Sequence, residues 1–118
     1  MADLKIDVLP MQGIPDGTII KATGFIDTTT APDIEKSIEQ VFTQKKFKIA
    51  IDLSGVDFVS SAGWGVFVSE IRDIRENKGD LVLINMVPDV YDVYELMEFS
   101  AILKSFDSID DCIKYFKA

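Results

Sequence analysis

Two adjacent serines, Ser60 and Ser61, stand within IAIDLSGVDFVSSAGWGVFV, residues 49 to 68. The run reads as an apolar strand, a short acidic loop and a glycine-rich helix start. That order sets small hydroxyls beside the unbonded amides and positive dipole end of a helix. Nucleophilic catalysis at such a serine needs a base, and the chain has no histidine and no lysine three residues beyond either serine. A Ser-His-Asp triad, a histidine general base and most zinc sites fall away together, so no enzyme is expected. Gly63-Trp64-Gly65 begins like a dinucleotide-binding turn, but Val68 stands where the next glycine is required. There is no Gly-Lys-Ser/Thr either, so no nucleotide or other cofactor is expected. Phosphorylation by another protein asks only for a hydroxyl at an exposed helix start. A phosphate there adds about -1.5 to -2 charges, is tolerated by the free amides and changes what can bind. Ser60 has a second use as a helix cap.

With Ser61 at zero and ~100° per residue, Trp64, Gly65, Val68 and Arg72 fall on its flank of the helix. Gly63, Val66, Phe67, Ile71 and Ile74 cluster on an adjoining face that is expected to meet a sheet. Trp64 and Val68 beside Ser61 would make a compact recognition patch, with the tryptophan either as an anchor or packed on a neighbouring helix. Gly63 and Gly65 each cost a helix about 1 kcal/mol relative to alanine. Close approach of the sheet beneath, or of another chain, would offset that.

The elements that must position this segment follow in alternation. Residues 4 to 11 and 18 to 24 read as two strands joined through Pro15-Asp16-Gly17, a hairpin turn. Thr29 or Thr30 is expected to cap a helix carrying Ile34, Ile38, Val41 and Phe42 on one face and ending near residues 44 to 46. Strand 47 to 53, a helix from Ser61 to about Asn77 with a glycine stop at Lys78-Gly79, and strand 80 to 85 come next. Pro88 opens a third helix with Val90, Val93, Tyr94 and Met97 on one side and Asp89, Asp92, Glu95 and Glu98 as an acidic strip. That strip is either a solvated face or a docking surface. A short strand within 102 to 106 and a helix begun by Ser108 with Asp111 as capping partner finish the chain. The expectation is one α/β domain over residues 1 to 118. Its mixed, mostly parallel sheet has four to five strands, the first antiparallel at an edge, with about four helices packed mainly on one face. Partners would approach the carboxyl ends of the strands, at loops beginning near Phe25, Ser54 and Met86.

Twelve basic and 20 acidic residues give a net charge of -8, which disfavours nucleic acid and anionic membranes as direct partners. No run is long and apolar enough for a membrane span and the N-terminus lacks a signal-peptide pattern, so the expected location is cytoplasmic. The single cysteine, Cys112, excludes an internal disulfide and reads as a buried thiol.

Gly24-Phe25-Ile26-Asp27-Thr28, Ile51-Asp52-Leu53-Ser54-Gly55-Val56-Asp57-Phe58-Val59 and Ser61-Ala62-Gly63-Trp64-Gly65 together resemble the signatures of STAS domains of the anti-sigma factor antagonist type. The resemblance implies a serine, here Ser61, that is phosphorylated by an anti-sigma serine kinase of the GHKL ATPase type. It also implies a metal-dependent phosphatase that removes the phosphate. Unphosphorylated, such proteins bind the kinase and free a sigma factor; phosphorylated, they release it. The partner surface implied here comprises Asp27, Thr28, Ser60, Ser61, Trp64, Gly65, Val68 and Arg72. Two residues depart from the family pattern: Ser60 replaces the usual aspartate, which leaves Ser60 as an alternative phosphorylation site, and Trp64 replaces the usual leucine. STAS domains also serve as scaffold or ligand-binding subunits in stressosome-like and transport-associated complexes, which is the alternative reading.

Overall fold

The computed structural model describes residues 4–118. Five strands form one sheet in the order of the chain: β1 (Lys5–Pro10), β2 (Gly17–Ile26), β3 (Lys48–Val59), β4 (Asp80–Ile84) and β5 (Lys104–Phe106). β1 runs antiparallel to β2 at one edge and every other pairing is parallel. The helices are α1 (Ala31–Thr43), α2 (Ser61–Glu76), α3 (Pro88–Leu96) and α4 (Ile109–Lys117), with a 3-10 turn at Phe99–Ala101.

Alternation along the strands divides the core. Ile49, Ile51, Leu53, Leu81 and Leu83 face a large cluster completed by Ile34 and Ile38 of α1, Phe67 and Ile74 of α2, and Val90 and Tyr94 of α3. Their neighbours Ala50, Val82 and Ile84 face the other way, onto Cys112 of α4. Three helices therefore cover one face and α4 covers part of the second. Cys112 is wholly buried, and burial raises its thiol pKa to about 11, so it is a core residue and not a thiolate.

Four local expectations are corrected. Residues 54 to 59 are not a loop: β3 continues to Val59, pairing Gly55 with Thr23, Val56 with Gly24, Phe58 with Phe25 and Val59 with Ile26. Register shifts between Lys21 and Thr23 and between Gly24 and Phe25 absorb an extra residue at Leu53–Ser54 and another at Asp57, so tertiary pairing overrides residues that locally favour a turn. Phe25 and Ser54 consequently lie inside strands, and the chain leaves the sheet at Asp27 and Ser60; only the exit near Met86 stands as expected. Thr30 occupies the cap position of α1 but makes no side-chain cap bond. Its hydroxyl donates to Phe25 O at 2.7 Å, while the Asp27 carboxylate accepts the amides of Thr29 at 2.9 Å and Thr30 at 3.0 Å. At the end of α2 the left-handed residue is Lys78, not Gly79. A side chain on Gly79 would strike Phe47 O at 1.8 Å, so glycine is needed there for close approach.

Candidate functional site

The end of β3 and the start of α2 fix the two serines in different states. Ser60 is half-buried in extended backbone; its amide donates to Ile26 O at 2.8 Å and its hydroxyl accepts the Gly63 amide at 3.3 Å. It is the helix cap, a task an aspartate would perform equally while adding a charge. Ser61 is exposed in the first turn, and its hydroxyl has no cap to maintain.

The two glycines that follow are explained differently. A Cβ on Gly63 would lie 2.6 Å from Ile26 Cγ2 and 2.8 Å from Val59 Cγ1, so its absence lets α2 sit down on β2 and β3. A Cβ on Gly65 would meet nothing within 4 Å. The roughly 1 kcal/mol that glycine costs inside a helix is offset by packing at position 63 and by nothing within the described residues at position 65.

The sheet-facing set on α2 is buried as expected, and Trp64 joins it. At 3% exposure Trp64 is not a protruding anchor: its ring stacks on Phe99 at 4.8 Å and 15° and packs against Phe67 and Tyr94. The packing reading holds because the 3-10 turn after α3 brings Phe99 over the indole. Gly65 and Arg72 are exposed and Val68 is half-buried on the Ser61 flank. Arg72 pairs with Glu76 at 3.8 Å, one turn on. Asp27 spends its carboxylate on the turn into α1, leaving Thr28 as the exposed residue of that pair.

Between α2 and α3 lies a cleft of about 750 Å³ that has Ser60, Ser61, Trp64, Gly65 and Val68 along one wall. Phe58 at the end of β3, and Val90, Val93, Met97 and Phe99 opposite, complete an apolar lining. The residues Asp57, Phe58, Asp89, Val93 and Met97 were not anticipated at the site. No sequence signal separated Val93 and Met97 from the core: Val90, Val93, Tyr94 and Met97 fall at the i, i+3, i+4, i+7 spacing of an ordinary core face, Met97 being the residue that caps the end of α3. In the structure the stripe divides, Val90 and Tyr94 entering the core while Val93 and Met97 remain 40% and 60% exposed. The charged residues of the lining are Asp57 and Asp89; no lysine or arginine lines it.

A separate cluster lies between α1 and α2, where carboxylate oxygens of Glu35, Glu39 and Glu70 fall within 4.8 Å of one another. Burial, a hydrogen bond with Glu39 and the charges of Glu39, Glu35 and Asp73 push Glu70 up to about 7. Among the described residues no helix is long and apolar enough to cross a membrane.

These features define a small α/β domain that displays a free serine at the mouth of an acidic-rimmed apolar cleft. The STAS domain family matches residues 8–112, and the chain belongs to that family. The "Anti-sigma-B factor antagonist" of Listeria monocytogenes is 29% identical over 85 residues, 72% of this chain and 75% of that protein. An anti-sigma factor antagonist from Mycobacterium paratuberculosis shares the fold with a TM-score of 0.86 at 21% identity, covering 98% of this chain and 96% of that one. The Bacillus cell fate determinant SpoIIAA in its phosphorylated form shares it with a TM-score of 0.68 at 15% identity, over 96% and 99% of the two chains.

Proposed function

We propose that the chain is an anti-sigma factor antagonist whose binding is governed by phosphorylation of Ser61. Unphosphorylated, it docks on an anti-sigma serine kinase of the GHKL ATPase type and a sigma factor is released. Phosphorylated, it lets go until a metal-dependent phosphatase restores the hydroxyl. The observation that carries this reading is the division of labour between the serines: Ser60 is committed to capping α2, while Ser61, one residue on, is exposed at the cleft mouth. The amides at the start of α2 accept the added charge without unfolding the helix. The name of the Listeria relative supports the regulatory role, and the phosphorylated state of SpoIIAA supports the switch. Its place of action is the cytoplasm, with protein and not nucleic acid as the direct partner, in keeping with the net charge of -8.

Incubation with the kinase and Mg-ATP, followed by peptide mass spectrometry, is expected to place one phosphate on Ser61. Ser61→Asp is expected to weaken kinase binding and Ser61→Ala to preserve it. Equal binding by both variants would reject the switch in favour of a constitutive scaffold.

A further inference from the structure

We infer that the cleft between α2 and α3 receives a helix of the anti-sigma factor, apolar along one face and carrying Lys or Arg at its margins, with Gly65 as the point of closest main-chain approach. This rests on the function proposed above and specifies the chemistry of the partner at that surface.

The first observation is Gly65 itself. It lies in the interior of α2, is exposed, and has open space within 4 Å of where a Cβ would stand. No contact within the described residues asks for the missing methyl, although Gly63 two residues earlier is dictated by Ile26 and Val59. A bare main chain on a cleft wall lets a second helix pack at shorter interaxial distance than any side chain permits.

The apolar walls give the second observation. Phe58, Val93 and Met97 are 51%, 40% and 60% exposed around one cleft, a grouping unlike isolated surface hydrophobics. Ser61, Gly65 and Val68 on α2, and Val93 on α3 with Met97 at its C-terminal end, recur at the three- and four-residue spacing of helix ridges. A third helix meshes with such walls.

Charge supplies the third. Asp57 and Asp89 are the charged lining residues, and no lysine or arginine offsets them. That rim repels an anionic ligand and complements basic residues flanking an apolar face. Phosphorylation still ejects such a helix. A phosphate on Ser61 stands one turn before Gly65 and covers the bare main chain with a hydrated dianion. Stripping that hydration opposes entry more than exposed ion pairs to Lys or Arg favour it.

The test uses the full chain and the purified anti-sigma factor of the same organism, with binding read by calorimetry and by the fluorescence of Trp64, the single tryptophan. Gly65→Ala is expected to raise the melting temperature by about 2 to 5 °C and to weaken binding by about tenfold or more. Met97→Glu and Asp89→Lys are expected to weaken binding as well. Leu96→Glu, at a position 79% exposed and outside the cleft lining, is expected to leave binding unchanged. If Gly65→Ala and Met97→Glu bind as wild type while Ser61→Asp does not, the cleft is overturned and the phosphorylation switch survives. If the cleft variants lose binding and Ser61→Asp keeps it, the docking helix stands and the switch falls. Absence of any binding by the wild-type chain overturns both.

Discussion

Replacing Gly63 with alanine tests whether the seat of α2 on the sheet is as tight as its geometry states. In a free helix the substitution would gain roughly 0.5–1 kcal/mol. Here the new methyl would stand 2.6 Å from Ile26 Cγ2 and 2.8 Å from Val59 Cγ1, where carbon atoms normally rest at about 3.5–4.0 Å. Neither neighbour has room to retreat: Ile26 is wholly buried, Val59 is 7% exposed, and the two residues are partners in the β2–β3 pairing. Relief must come from lifting the start of α2, which also strains the Ser60 cap. Overpacking of this kind costs about 1–3 kcal/mol; set against the helical gain, the net loss is roughly 1–2 kcal/mol. Urea denaturation followed by far-ultraviolet circular dichroism would register it as a lower midpoint with an unchanged slope. A variant as stable as wild type would refute the packing argument, because the helical gain would then be uncompensated and Gly63 would need another explanation.

Two further outcomes follow from named contacts. Ser60→Ala removes the hydroxyl that accepts the Gly63 amide and is expected to cost about 1 kcal/mol while leaving Ser61 open to the kinase; Ser61→Ala is expected to stay within about 0.5 kcal/mol of wild type. Thermal melts and phosphopeptide mapping of the pair separate the cap from the modified residue. Glu70 titrates near 7 in the folded chain against an ordinary 4.5. The protonated form therefore belongs to the folded state, and its contribution is fully present below about pH 4.5, is lost as pH rises toward 7 and is flat beyond. Glu70→Gln is expected to match wild type near pH 4 and to exceed it by roughly 1–2 kcal/mol at pH 8, allowing for solvent screening of a half-buried group. An equal gain at both pH values would count against the raised Glu70 pKa.

Periodicity made the helices legible: the apolar faces of α1 and α2 were marked by Ile34, Ile38 and Val41 and by Val66, Phe67, Ile71 and Ile74, all of which are buried. The strand runs and the alternation of strand and helix carried the parallel order, and Pro15-Asp16-Gly17 carried the hairpin. The end of β3 was not legible because Ser54, Gly55 and Asp57 carry local turn preferences, while its pairing depends on β2, some 30 residues earlier. Trp64 shows the same limit. Its place on the helical wheel was correctly beside Ser61, but its burial depends on Phe99, a residue 35 positions away in the chain that returns after α3. Likewise the role of Thr30 was misplaced because its hydroxyl donates to Phe25 O, a partner five residues back, while Pro32 has no amide to offer a cap and the Asp33 amide bonds Thr30 O. The serine pair at the start of α2 was visible as chemistry; the cleft beside it required the third dimension, since its walls come from α2 and α3.

The spatial order of the strands is the order of synthesis. Each new strand finds its hydrogen-bonding neighbour already made, so the sheet can grow from the β1 edge without holding open a slot for a late arrival. Vectorial folding on the ribosome would thus seat α2, with Ser61 at its tip, against β2 and β3 while α3 is still being translated. One wall of the cleft is a product of the first two-thirds of the chain and the other is added to it.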